Sequence, residues 1–430
     1  MRWPFPTARS RPLGWPALVL RRGAPDRLWR GLAALGPGLV AAAAGNDAGG
    51  IATAVVVGAT TGYHLLWAFL LSGLGLIVVQ EMCARMGALT GRGLADLIRE
   101  RFRVRWTVFA MLLLVVANSG ATVAQLAGIA AAAELFGVPR WVAVPLAVVA
   151  LAALVLRLPY RPAERVFLAL AALLLAYVAA AVLARPDWEA VGRGLLVPAL
   201  PADLGEAALL VTIWGSQITP YMQFFVQAAV VDKGATEHEL SAVRLDTILG
   251  AIVANVVTVF VVIATAATLH AAGVAVDDAA AAARALEPLA GSLAAALFGA
   301  GLLGSALLAA GVIPLSTAYA VCEAFGWERG VSHALREAPA FYGLFAGVLG
   351  VAAVVVLWPG LPLLRAMVAS QLLGGLLLGP LLAFILLLAN DRRLLGGGAN
   401  GPRANLAAGA TLLLVVVLEL ALVALALGSA

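Results

Sequence analysis

Two short polar interruptions of otherwise apolar sequence hold the residues able to do chemistry: Gly45-Asn46-Asp47-Ala48-Gly49-Gly50 and Gly215-Ser216-Gln217-Ile218-Thr219-Pro220. Asp47 sits in the middle of an apolar stretch long enough to cross a bilayer. There an ionised carboxylate costs roughly 3 kcal/mol or more unless a cation, a partner or water compensates it. No Lys or Arg falls at matching depth in the other apolar stretches, which leaves a transported cation as the counter-charge. Ser216, Gln217 and Thr219 add neutral oxygens, and Gly45, Gly215 and Pro220 free backbone carbonyls by weakening or breaking the helix. One carboxylate, neutral oxygens and room for water suit a hard divalent ion such as Mg2+ or Mn2+. Neither break contains Met, His or Cys, so no soft donor is expected. The plainer readings are a protonated or hydrated Asp47, and polar side chains on the second break that bond only loose backbone.

The elements that must position these groups follow from apolar runs of about 18 residues or more between polar or Gly/Pro-rich joints. They fall at 32 to 60, 64 to 89, 106 to 136, 140 to 157, 163 to 184, 206 to 231, 241 to 268, 288 to 323, 339 to 358, 362 to 389 and 405 to 428. They are numbered helices 1 to 11 in chain order. The two breaks lie at comparable places in helices 1 and 6. That placement points to an inverted repeat, helices 1 to 5 (32 to 184) against helices 6 to 10 (206 to 389), with the site between the two discontinuous helices. Helix 11 (405 to 428) stands outside the repeat, and residues 1 to 31 form an Arg-rich tail without a signal-peptide core.

Charge tests the arrangement. With the N-terminus placed in the cytoplasm, every Lys and Arg among the 28 falls in the tail or an inner joint except Arg140, Arg185, Arg193, Arg284 and Arg365. A miscounted helix would scramble that alternation, so it supports both the count and an external C-terminus. The composition agrees: 63% hydrophobic and 12% charged residues exclude a water-soluble core. The net charge of +5 belongs to membrane orientation rather than to a nucleic-acid partner. Cys83 and Cys322 have no metal-ligand spacing, and His64, His238, His270 and His333 sit near helix ends or in joints. No metalloenzyme helix, serine elbow or Cys/His couple lies at membrane depth, so no enzyme, cofactor or obligate protein partner is expected.

Several further stretches carry a family resemblance: Gly36-Pro37-Gly38, Asp47 through Thr53, Gly62-Tyr63-His64-Leu65-Leu66-Trp67, Gln80, Ala84-Arg85-Met86-Gly87 and Thr90 through Asp96. Together they resemble the first two helices of the Nramp divalent-metal transporters. The resemblance implies an all-α integral membrane protein of about eleven transmembrane helices with a LeuT-type inverted repeat. It is strongest over 32 to 103 and 211 to 234. The family's helix 1 signature, Asp-Pro-Gly-Asn, reads Asp47-Ala48-Gly49-Gly50 here, and its helix 6 signature, Met-Pro-His, reads Thr219-Pro220-Tyr221. The resemblance therefore keeps Asp47 as the metal carboxylate. It puts Gly50 in place of an Asn ligand, Thr219 in place of the Met thioether, and Ser216 where an Ala carbonyl faces the metal.

On helix 3, Thr122 and Gln125 stand where proton-coupled members carry acidic residues, and Tyr221 replaces the helix 6 His. On helix 10, Gln371 matches an early polar position, while a later Gln that approaches the metal is replaced by Leu377. These departures resemble the Nramp-related magnesium transporters, whose site is widened for a partly hydrated ion. The expected activity is alternating-access transport of a divalent cation in the cell membrane, Mg2+ preferred and Mn2+ accepted, without obligatory proton coupling. The rival readings are a proton-coupled Mn2+ or Fe2+ importer and an amino-acid or organic-cation transporter of the same fold. Glu419, Asn118, Gln227 and Asn255 are read as interhelical hydrogen-bonding groups, and Glu81 and Asp246 as partners of inner arginines.

Overall fold

A computed structural model describes residues 45–157, 172–331 and 334–428. The 1–31 tail, the first part of helix 1 with its Gly36-Pro37-Gly38 motif, the opening of helix 5 with Arg161 and Arg165, and His333 lie outside the described residues. Within them every expected segment is helical, and no strand occurs. Helix 1 is described from its break onward as helix 1b, Ala48–Thr61. Helices 2, 3 and 4 are Leu66–Thr90, Val104–Leu135 and Arg140–Arg157. A linker helix, Leu94–Arg101, joins helices 2 and 3. Helix 5 is described over Ala172–Leu183, beginning with a 3-10 turn.

Helix 6 divides into 6a, Leu204–Gln217, and 6b, Pro220–Asp232. Helix 7, Leu240–Thr265, finishes in a π turn through His270. Helices 8, 9 and 11 are Ala294–Phe325, Pro339–Val356 and Pro402–Gly428. Six helices of the described residues, and the two parts of helix 10 taken as a seventh, are long and apolar enough to cross a membrane. Helix 1b, helix 4 and the described part of helix 5 are shorter apolar helices.

Helix 10 departs from the expectation of one continuous helix over 362 to 389. It runs as 10a, Leu363–Leu376, and 10b, Leu378–Ala389, with a 43° bend between them. The cause is local. Pro380 has no N–H for the Leu376 carbonyl and its ring crowds that carbonyl, and the preceding Gly374-Gly375 pair offers little resistance to bending. The opened backbone recruits Glu419 of helix 11, whose Oε1 accepts a hydrogen bond from the Gly379 N–H at 3.1 Å. Glu419 thus holds the start of helix 10b.

Apolar side chains gain little by leaving lipid for protein, so close backbone approach between helices decides the packing. Helix 3 is the central post, lying against helices 8, 9 and 10, while helix 7 packs on helices 1b and 2. Two glycine contacts seat the broken helices, helix 1b on helix 3 and helix 6a on helix 10a. A Cβ on Gly128 of helix 3 would lie 2.3 Å from the Ala48 Cβ, and one on Gly215 of helix 6a would lie 2.2 Å from the Gln371 carbonyl of helix 10a.

At the end of the bundle that bears the 2/3 linker, Glu81 of helix 2 accepts from Arg244 of helix 7 at 2.7 Å and from Arg85 at 3.1 Å. Arg85 is buried and also binds Gly398 and Asn400, tying the 10/11 joint to helix 2. At the opposite end His64 pairs with Glu206 at 3.4 Å, and His270 lies 3.0 Å from the Ala59 carbonyl. Cys83 and Cys322 are buried free thiols.

Candidate metal-ion site

Asp47 is the N-cap of helix 1b. Its backbone is extended (φ −71°, ψ 172°), so the chain enters the helix with its first N–H groups unbonded and aimed back at the carboxylate. Oδ1 accepts from the Gly50 N–H at 2.7 Å, and the Asp47 carbonyl accepts from the Ile51 N–H at 2.9 Å. Gln125 of helix 3 closes the other side: its Nε2 donates to Oδ2 at 2.9 Å, and its Oε1 accepts from the Ala48 N–H at 3.0 Å. A two-ended clamp of this kind fixes both the carboxylate and the first peptide of helix 1b. Asp47 is 1% exposed, and no ion pair of the described residues involves it. Among the described residues its carboxylate is therefore met by hydrogen-bond donors but by no basic side chain.

The missing side chain of Gly50 opens a space bounded by oxygens. The point that its Cβ would occupy lies 3.3 Å from the Gly45 carbonyl, 3.4 Å from Asp47 Oδ1 and 4.0 Å from the Ser216 carbonyl. Gly45, Asp47, Gly50 and Ser216 thus meet across the two breaks. Ser216 contributes its carbonyl there, because its hydroxyl donates to the Ile213 carbonyl at 2.9 Å.

The second break is arranged differently. Helix 6a stops when the Ile218 N–H closes on Trp214 at 2.9 Å, and Pro220 starts helix 6b from the extended Thr219. Thr219 makes no cap bond. Its hydroxyl faces the Tyr221 side chain, and the Nε2 of Gln217 is buried without a hydrogen-bond partner among the described residues. Tyr221 is 1% exposed, immediately inside helix 6b. Gln371 of helix 10a lies across the start of helix 1b, its Nε2 only 1.8 Å from where a Gly49 Cβ would be, and that nitrogen too is unpartnered among the described residues.

Thr122 stays apart: its hydroxyl donates to Asn118 on its own helix at 2.7 Å. Asn118 in turn donates to Thr317 of helix 8 at 2.7 Å, an interhelical bond of the expected kind.

Two groups near the first break had no assigned place in the sequence reading. Thr258 of helix 7 donates to Asn46 Oδ1 at 3.0 Å, which anchors the break to helix 7. Met222, one turn into helix 6b, lays its thioether on Gly45, with Cε 3.0 Å and Sδ 3.8 Å from the position of a Gly45 Cβ. Neither break itself holds a Met, His or Cys, but packing sets the Met222 thioether beside the first of them. The i to i+3 spacing from Thr219 to Met222 was its signal, since both then share one side of helix 6b.

Comparison with known proteins adds an independent line. The family described as natural resistance-associated macrophage protein-like (Nramp) matches residues 38–425. A divalent metal cation transporter MntH of Deinococcus radiodurans is 34% identical over 287 residues, covering 64% of this chain and 65% of that protein's own length. The MntH of Burkholderia ambifaria is 29% identical over 392 residues, covering 87% of this chain and 86% of its own. Among solved structures, a manganese transporter of Eremococcus coleocola superposes with a TM-score of 0.75 at 21% identity, covering 93% of this chain and 87% of that one. Mhp1, a nucleobase-cation-symport-1 family transporter, reaches 0.51 at 15% identity over 82% and 77% of the two chains. These two likenesses carry the fold, an all-helical membrane architecture of the LeuT type.

Proposed function

The chain belongs to the Nramp family, a family of multi-pass membrane transporters, and from that membership and the donors at the two breaks we propose that it carries divalent metal cations by alternating access. The observation that supports this most is the oxygen-bounded space over Gly50, with the buried, basic-partner-free carboxylate of Asp47 on its edge. A divalent cation entering there meets one carboxylate oxygen already oriented by Gly50 and Gln125, and two carbonyl oxygens from opposite repeats. Because residue 50 has no side chain, several water ligands can stay on the ion. Mg2+ dehydrates reluctantly and is held in this manner, so we assign Mg2+ as the preferred cargo with Mn2+ accepted.

Gln125, the helix 3 group that bonds the carboxylate, and Thr122, one turn before it, carry no titratable proton, and uptake on this reading runs without obligatory proton coupling. The membrane potential then supplies about 2.3 kcal/mol per charge per 100 mV. The N-terminus is placed in the cytoplasm and the C-terminus outside, in keeping with the distribution of Lys and Arg.

A second reading, a proton-coupled Mn2+ importer, has two supports: the MntH and manganese-transporter relatives, and the Met222 thioether resting on Gly45. Proteoliposome flux with Mg2+, Mn2+ and Ca2+ while internal pH is followed separates the readings. Mg2+ and Mn2+ uptake without matching acidification is the expected result. Mn2+ uptake with stoichiometric acidification and no Mg2+ flux overturns the first reading in favour of the second.

A further inference from the structure

Helix 6b carries a row of oxygens that starts at the ion site and continues past it. Thr219, Gln223 and Gln227 follow one another at i, i+4 and i+8, so they share one face of the helix and descend from the break by about 6 Å per step. All three are at most 3% exposed; Gln223 Oε1 and Gln227 Oε1 are each buried without a hydrogen-bond partner among the described residues, and the Thr219 hydroxyl faces the Tyr221 side chain. The assignment of amide oxygen and nitrogen does not remove the pattern. Gln227 is fixed by its Nε2, which donates to the Arg92 carbonyl at 2.9 Å, and the Nε2 of Gln223 has only a 3.5 Å contact with the Thr219 carbonyl. One end of the Gln223 amide is left over in either orientation.

In an apolar bundle an unsatisfied oxygen is a standing desolvation cost, tolerated where the group meets water or an ion during function. Two steps of the row span about 12 Å, close to half of a hydrocarbon core of about 30 Å. Its far end is the joint between helices 2 and 3, where Gln227 meets Arg92 and where Glu323 of helix 8 accepts from the Asp96 N–H at 3.0 Å. Helix 6b packs here against helices 2, 3 and 8 and the linker helix, so the row is sealed in this conformation. Neutral amide and hydroxyl oxygens hold a divalent ion weakly enough to let it leave, which a second carboxylate on this path would not.

We propose that Thr219, Gln223 and Gln227 form an oxygen-lined file through which the divalent cation and its remaining waters pass between the Asp47 site and the joint of helices 2 and 3. The inference rests on the transport reading above and names its inner route.

The test uses the full-length chain in proteoliposomes with Mn2+ as the probe. Gln223→Leu should lower the initial rate of Mn2+ uptake about tenfold while equilibrium Mn2+ affinity stays within about twofold, and Gln223→Asn should recover part of the flux. Gln223→Cys and Gln227→Cys should react with a charged, membrane-impermeant thiol reagent from the side of the 2/3 joint, more slowly under saturating Mn2+. The buried Cys83 and Cys322 of the unsubstituted chain set the baseline. The cysteine variants carry the test alone if Gln223→Leu fails to fold. Unchanged uptake, or thiols that stay unreactive with and without metal, overturns the file, because the amides would then be packing groups. A parent chain without divalent flux overturns the transport reading and the file together, whereas a transporting parent beside equally active variants overturns the file alone.

Discussion

The two broken helices face each other with opposite hydrogen-bond economies. In helix 1 the break is closed on itself: Asp47 accepts from Gly50, Gln125 grips both Asp47 and Ala48, and Asn46 accepts from Thr258. In helix 6 the corresponding groups are more open, with Thr219 making no cap and the Gln217 amide nitrogen unpartnered among the described residues. Helix 10 follows the first pattern, since Glu419 closes its break by accepting from Gly379. On the proposed transport reading, a pre-fixed carboxylate opposite the Ser216 carbonyl and the Thr219 hydroxyl gives one strong anchor and one adjustable wall. That combination holds a cation without trapping it. On that reading the halves have different duties: helix 1b sets charge and geometry, and helix 6b sets which ion fits and how it leaves.

Four substitutions break or sharpen the contrast. Asp47→Asn removes the anchor's charge while keeping its shape, and uptake of Mg2+ and Mn2+ in proteoliposomes should fall about a hundredfold, to background. Residual flux of a tenth would move the anchor elsewhere. Gln125→Leu strips the clamp from Asp47 and Ala48. Uptake should drop about tenfold and unfolding stability by about 1 to 3 kcal/mol, because two buried groups lose their partners. A fall in melting temperature with full flux would reduce Gln125 to a structural strut.

On the adjustable wall, Thr219→Met should shift competition between Mg2+ and softer ions such as Cd2+ about threefold toward the softer one. Unchanged selectivity would place Thr219 away from the ion. The smallest effect is expected at the third break: Glu419→Leu should cost about 1 kcal/mol of thermal stability through loss of the cap at Gly379, with flux within about twofold of the parent.

The places where the sequence spoke clearly are those where a local rule is violated. A carboxylate inside an apolar run, glycines beside it and a proline in the facing segment all announce their breaks without reference to any neighbour. Helix 10 obeys the same logic, and Pro380 after Gly374-Gly375 carried its signal, yet the unbroken hydrophobicity of 362 to 389 masked it. The partners were harder. In sequence Gln125 matches an acidic position of proton-coupled family members, but its bond to Asp47 joins residues 78 apart and depends on the rotation of helix 3 about its axis. Met222 could be read as a core methionine until Gly45 was found beneath it, and Ser216 offered a hydroxyl in sequence but presents its carbonyl in space.

By itself the sequence determined the solvent, the number and order of apolar segments, and the place of Asp47 inside an apolar run, because each depends only on composition along the chain. Tertiary structure decided which oxygens share a space with that charge. Those distances are set by the contact of Gly128 with Ala48 and of Gly215 with helix 10, where absent side chains let the helix backbones approach. In a bundle surrounded by lipid, such close approach does the selecting that apolar burial does in water.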